Sequence, residues 1–121
     1  MQIKLSFPIF NANQLFSPII SEHRNAKERL KYLSFDLQIQ LKRHPKYPSK
    51  KLPAHITITF LINRDNFDTS CLFLLAHSIL SVLRLTMIIQ DINNRCISDI
   101  TINHRFVENL YEEGCVIDFK D

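Results

Sequence analysis

Residues 71–89 read CLFLLAHSILSVLRLTMII, and this apolar stretch decides the fold of the chain. Fourteen of its nineteen residues are apolar, which predicts a helix buried in the protein core. Five polar residues interrupt it at every turn and argue against a membrane span: His77, Ser78, Ser81, Arg84 and Thr86. We therefore predict a buried helix and no membrane association.

One isolated acid stands on each side of this stretch, Asp68 before it and Asp91 after it. We expect the fold to bring both acids to one end of a sheet, where converging carboxylates hold a divalent metal or act as acid and base. Each acid also has a purely structural interpretation. Asp68 can cap the helix that follows it, and Asp91, within IIQDINN, is typical of a turn.

The residues around this segment predict further strands and a second helix. Residues 55–62, HITITFLI, alternate apolar and polar side chains, as a half-buried strand does. Residues 2–7 alternate in the same way and end at Pro8, and two more strands are predicted at 97–102 and after Gly114. Leucines recur at spacings of three and four after Ser21, which indicates an amphipathic helix of about twenty residues.

The order of these elements predicts an α+β fold, a mixed β-sheet with two main helices packed on it. We expect the 121 residues to form one domain. Three cysteines at spacings of 25 and 19 match neither a zinc pair nor a disulfide framework, so reduced thiols are expected. The first residues, MQIKLSFPIF, do not resemble a signal peptide, and we expect an intracellular, cytoplasmic protein.

The net charge of +3 hides a local basic segment at residues 42–51, KRHPKYPSKK. A flexible cationic loop with an aromatic residue can follow a phosphate backbone and stack on an unpaired base. Solvated loops also carry lysines, so the segment has a structural interpretation too. The candidate nucleic-acid-binding residues are Lys42, Arg43, Lys46, Tyr47, Lys50 and Lys51.

The order of features in residues 51–97 resembles the RusA family of Holliday-junction resolvases, which are small, often prophage-encoded endonucleases. A Lys-Leu-Pro sequence precedes a strand, and an Asp, a helix, an Ile-Ile-x-Asp turn and Asn93 follow. The resemblance extends to KLSFP near the N-terminus, a loop with Asn13, a long first helix and a glycine before the last strand. It implies a RusA-like scaffold and a dimeric protein.

The family motif reads roughly D-x-D-N, then a Lys and an Asp on the helix, a Gly at its end and a paired D-D. Asp68 and Asp91 match its first Asp and the first Asp of the pair. The other positions are occupied by Ser70, Cys71, His77, Ser81, Met87 and Ile92. The resemblance thus implies a vestigial catalytic site of Asp68, Asp91 and His77, with at most weak Mg²⁺ binding by the two acids.

Other site chemistries remain open from the sequence. A zinc site built from Asp68, Cys71 and His77 is an alternative, although His77 on an apolar helix is more typical of a core or interface histidine. If the protein does cut nucleic acid, it would be a Mg²⁺-dependent endodeoxyribonuclease with relocated ligands, for which Asp65 and Asp99 are the nearest acids. We otherwise expect no cofactor.

The resemblance favours a catalytically degenerate, phage-type accessory protein that binds branched or single-stranded nucleic acid. A protein inhibitor of a host nuclease or defence complex is the alternative, and an active structure-selective nuclease is the third. A homodimer built partly on the apolar helix is also predicted. Its apolar side chains cover more than one face: Leu72, Phe73, Leu75, Leu80, Leu83 and Leu85.

Overall fold

A four-stranded mixed sheet forms one layer of the protein. The computed structural model describes residues 1–42, 44–45, 54–92 and 95–120. The strands are β1 (Gln2–Ser6), β2 (Ala54–Ile62), β3 (Ile97–Phe106) and β4 (Gly114–Lys120). Their order across the sheet is β1-β4-β2-β3, with β4 antiparallel to both β1 and β2 and with β2 parallel to β3.

Two helices form the second layer, α1 (Ile20–Leu41) and α2 (Leu72–Leu85). The predicted α+β fold, a mixed sheet with two main helices, is therefore confirmed. α1 buries a stripe at helical spacing, Leu33, Leu37 and Leu41, whereas its other faces are mainly exposed. None of the helices in the described part of the chain has the length and apolar content needed to cross a bilayer.

One face of the sheet carries the core because alternate residues of the strands point toward the helices. On β2 these are Ile56, Ile58 and Phe60, which have no measurable exposure. Ile3 and Leu5 of β1 join them, and so do the inward residues of β4. The alternation read from the sequence thus gives the buried face directly.

The apolar helix is shorter than the apolar stretch. α2 ends at Leu85, where the Thr86 hydroxyl donates to the Val82 carbonyl oxygen at 2.8 Å. Met87 then adopts a φ of 60°, and the backbone N–H of Ile88 returns to the Leu83 carbonyl oxygen at 2.9 Å. This is the geometry of a left-handed helix cap. Ile88 stays buried in the core although it is no longer helical.

Most of the apolar surface of α2 is covered within one chain. Leu72, Leu75, Leu80 and Leu83 are buried in the core, and α1 packs against α2. Only two of the residues on which the predicted helix-mediated homodimer rests are exposed, Phe73 and Leu85. A helix buried on several sides thus needs no second chain to cover it, and the homodimer itself stays a prediction.

Glu113 joins three separate segments where β2 ends and β4 begins, and it is the only buried charged residue among those the structure describes. Its carboxylate accepts the backbone N–H of Ile9 at 3.3 Å and that of Asn63 at 2.8 Å. The next residue is the single glycine of the chain. Gly114 has a φ of 151°, and a Cβ there would lie 2.0 Å from the Leu5 carbonyl oxygen. The backbone of β1 can approach β4 this closely only beside glycine.

Candidate functional site

Asp68 stands where the chain leaves the β2 side of the sheet and enters α2. Its carboxylate accepts the backbone N–H and the hydroxyl of Ser70, at 3.0 and 2.7 Å, and the amide of Asn13 at 3.3 Å. These hydrogen bonds, first that from the Ser70 hydroxyl, hold the pKa of the exposed carboxyl below its usual value. Asp68 is the N-cap of a short 3₁₀ turn (Thr69–Cys71) that leads into α2. The capping interpretation of Asp68 is confirmed.

Asp91 lies beyond the opposite end of α2, and its carboxylate accepts the backbone N–H of Ile92 at 2.8 Å. The chain passes from β2 through α2 to the parallel strand β3, so the connections before and after α2 are at opposite ends of these strands. The fourteen residues of α2 span about 21 Å. In contrast to the expectation from sequence, the structure does not bring Asp68 and Asp91 to one end of the sheet.

The zinc alternative lacks a supporting geometry. Cys71 is buried and its thiol donates to the Phe10 carbonyl oxygen at 3.6 Å, and burial raises its pKa, which disfavours the thiolate that a metal requires. His77 is exposed on α2 rather than a core histidine. Within the described ranges, no group of three or more His, Cys, Asp or Glu side chains could hold a metal ion. Cys71 and Cys115 are buried free thiols.

The two further acids considered for a relocated site are also apart. Asp65 is exposed in the turn that follows β2. Asp99 lies near the start of β3, opposite His55 of β2, and its carboxylate contacts His55 Nδ1 at 2.6 Å. Because β2 and β3 are parallel, these acids lie at opposite ends of the two strands. The described residues therefore offer no converging carboxylate pair from this set.

Lys42 is the one candidate nucleic-acid-binding residue that lies within the described part of the chain. Lys42 is exposed at the C-terminal end of α1, where its backbone N–H donates to the Ile39 carbonyl oxygen at 3.4 Å. The other candidate nucleic-acid-binding residues lie outside the described residues: Arg43, Lys46, Tyr47, Lys50 and Lys51.

A second cationic region, which was not predicted from the sequence, lies between α1 and the loop after β1. A cavity of about 300 Å³ opens there, lined by Phe10, Arg29, Tyr32, Asp36 and Arg64 among others. The guanidinium carbon of Arg29 lies 5.6 Å from the centroid of the Phe10 ring. Tyr32, one helical turn further, is 66% exposed, so its ring remains available to a ligand.

Arg64 connects this cavity to another one of about 340 Å³. Its guanidinium carbon lies 5.9 Å from the centroid of the Phe67 ring, and its Nη2 lies 3.8 Å from the buried carboxylate of Glu113. The second cavity is lined by residues beyond and at the ends of the parallel strands, including Phe67, His104, Arg105 and Phe106. The carboxyl ends of parallel strands are where open α/β sheets bind their ligands.

We call Arg29, Tyr32, Arg64 and the partly buried Phe67, together with the buried Phe10 against whose ring Arg29 lies, the arginine–aromatic surface. Its residues come from the loop after β1, from α1 and from the turn after β2. These three segments are far apart in the sequence, and no residue spacing indicates that they lie together in the fold. Only the position of Arg64, two residues after the predicted strand at 55–62, could have pointed to it.

Comparison of the chain with models of protein families, with curated proteins and with solved structures gave no match. The similarity to RusA resolvases therefore rests on the order and spacing of residues in the sequence.

Proposed function

We propose that this protein is a catalytically degenerate, RusA-like phage-type accessory protein that binds single-stranded nucleic acid in its host cell. The observation that carries the proposal is the arginine–aromatic surface. Two guanidinium groups line one cavity, and each lies against an aromatic ring. Bases of every type stack on aromatic side chains, and arginines bind the phosphates between them.

The charges of this surface suit a phosphate backbone. Arg29 forms no salt bridge with any residue that the structure describes, so its donors remain available. Arg64 is held near Glu113, yet its side chain keeps 44% of its exposure. Asp36, in the same cavity, can accept a hydrogen bond from the amino group of a base. The arginines would bind a phosphate, the aromatic rings would stack on a base, and Asp36 would accept a hydrogen bond from the edge of that base.

Two features support the RusA-like scaffold and the loss of catalysis. Met87, aligned with the glycine of the family motif, adopts a φ of 60°, a conformation that favours glycine. Asp68 is engaged as a helix cap and lies across α2 from Asp91, so one chain does not offer these acids as a joint Mg²⁺ site. We expect a four-way DNA junction to remain uncut in the presence of Mg²⁺.

Fluorescence anisotropy with a labelled single-stranded oligonucleotide tests the proposal. Arg29→Glu removes a charge-assisted hydrogen bond and adds a like charge, so affinity should fall by about tenfold or more. The dependence of log affinity on log salt should flatten by about 0.7 for the lost phosphate contact.

The matched control is Arg24→Glu, which makes the same charge change at another exposed position of α1 that does not line the cavity. We expect its affinity to stay close to that of the native protein at moderate salt. Equal loss in both variants would show that only net charge matters, and the proposed surface would then be rejected.

An inhibitor of a host nuclease or defence complex remains the second candidate, and one observation favours it. α1 exposes Tyr32, Phe35 and Ile39, which recur at helical spacing, and all three are more than half exposed. Contiguous exposed apolar residues are typical of protein-binding surfaces. If Phe35→Asp disrupted a nuclease complex recovered from the host, while the native protein bound no nucleic acid, the inhibitor function would replace our first proposal.

A further inference from the structure

β3 is an edge strand of the sheet and pairs with β2 alone among the strands that the structure describes. It is ten residues long, contains no proline, and keeps an unbroken register with β2 from His55 to Ile62. Natural sheets usually protect an edge with short strands, prolines or bulges, because unpaired backbone groups bind other strands. The one irregularity in the register lies at the start of β3, between the pairs Ala54–Ile97 and His55–Asp99, and the edge from Asp99 to Phe106 has neither a proline nor a bulge.

The face of β3 that continues the core face of β2 is also uncovered. The register places Ile100, Ile102 and Phe106 beside the buried residues Ile56, Ile58 and Ile62. Ile100 is nevertheless 39% exposed and Phe106 59% exposed. The helix layer therefore ends before the sheet does, and a strip that is apolar except for the exposed His104 is left along its edge.

We propose that two copies of this chain pair through β3, antiparallel, around a two-fold axis at Ile102. The pairing joins two sheets into one of eight strands, with the helices of both copies on the same side. Ile102 of each copy then faces Ile102 of the other, and Thr101 faces Asn103. Pairing residues of equal parity keeps the apolar strips of both copies on one face.

Charge complementarity favours this register, and it favours a second copy of the chain as the partner that pairs with the edge of β3. Asp99 and Arg105 lie three residues before and after Ile102. A two-fold axis at Ile102 therefore places Asp99 of each copy opposite Arg105 of the other, and this contact occurs twice. Asp99 uses Oδ2 for His55, which leaves Oδ1 to accept from the guanidinium.

A shift by one residue pair would instead place Thr101 on the axis. Ile100 would then face Ile102 of the other copy, but Arg105 would face Ile97 and Asp99 would face Asn103. The apolar contacts improve while both opposite-charge pairs are lost. The proposed interface uses β3, in contrast to the α2 interface expected from sequence, and it does not depend on nucleic-acid binding.

Charge reversal followed by sedimentation equilibrium tests the pairing. Asp99→Arg or Arg105→Asp alone creates two like-charge contacts across the axis, and we expect dimer affinity to fall by more than about tenfold. The double variant should recover the dimer. His55→Ala is the matched control, because it removes the contact of Asp99 within one chain and should leave the dimer unchanged.

A cysteine at the axis tests the register and does not depend on charge. Opposite residues of antiparallel strands have Cα atoms about 4.5 to 5.5 Å apart, within the range of a disulfide. Ile102→Cys should form a covalent dimer under mild oxidation, faster than Thr101→Cys and above the level of the native thiols. Faster linkage at residue 101, a monomer at all concentrations, or a dimer that survives both single charge reversals would overturn the proposal.

Discussion

Asp68 shows how one side chain can resemble a catalytic residue while acting as a structural one. Its carboxylate is held by Ser70 and by Asn13, a residue of the loop after β1. Asn13 also donates to the Ser70 hydroxyl at 2.6 Å. The three residues fix the start of α2 to the N-terminal loop. This network stabilises the ionised form, because every hydrogen bond that the carboxylate receives favours its charge.

We predict that Asp68→Ala lowers the stability of the protein at neutral pH, whereas Asp68→Asn, which can still cap the helix, lowers it less. The folded-state pKa is lowered, so the contribution of the charge is fully present above the unfolded value near 3.8. It is lost as the pH falls through the lower folded-state pKa. In urea unfolding across this acidic range, the free energies of unfolding of the native protein and of Asp68→Asn should converge as the pH falls.

Mg²⁺ provides the control for this prediction. If Asp68 is a cap and not a metal ligand, millimolar Mg²⁺ should leave the unfolding midpoints of the native protein and of Asp68→Asn equally unchanged. If Mg²⁺ raised the unfolding midpoint of the native protein but not that of Asp68→Asn, Asp68 would be a metal ligand as well as a helix cap.

At the scale of elements, the end of α2 is the feature that sequence periodicity could not locate. Ile88 and Ile89 continue the apolar pattern and are buried, yet they follow a left-handed turn at Met87. Burial alone does not distinguish a helix from an extended segment packed on the same core. α2 ends where Met87, which is 65% exposed, adopts a left-handed backbone conformation. Methionine is not a residue type that predicts this conformation.

Met87→Gly should stabilise the protein by about 1 kcal/mol, because glycine adopts a left-handed φ without the steric cost of a Cβ. Little packing is lost, since the side chain is mainly exposed. Urea denaturation at constant m-value measures the gain. Met87→Ala is the control, since it removes the same side chain and keeps the Cβ, and it should give no such gain. Equal effects of both variants would show that Met87 is not strained.

At the scale of the whole molecule, local patterns predicted the elements, and the tertiary arrangement determined the site. Strand alternation and leucine spacing were sufficient for β1, β2, β4 and α1, because burial of one face imposes the period of each element. The order and direction of the strands in the sheet could not be predicted in the same way. The parallel pairing of β2 with β3 separates Asp68 from Asp91. A local sequence pattern does not indicate whether neighbouring strands run parallel or antiparallel.

The arginine–aromatic surface was missed for a related reason. Arg29 belongs to the charged face of α1 and Arg64 to a polar turn, and each looks like an ordinary solvated cation in sequence. Packing of α1 beside the loop after β1 places both around one cavity. The basic segment at residues 42–51 is conspicuous in sequence because its charges are contiguous, and it competes with this surface as the place where nucleic acid would bind.

Photo-cross-linking tests the central claim most directly, because it reports where a single-stranded oligonucleotide contacts the protein. Irradiation of the complex, digestion and mass spectrometry would identify the linked residues. We predict cross-links at the exposed Tyr32 and at Phe67, which flank Arg29 and Arg64 in the two cavities. Cross-links confined to Tyr47 in the basic segment would contradict the account, and so would the absence of any complex at low salt.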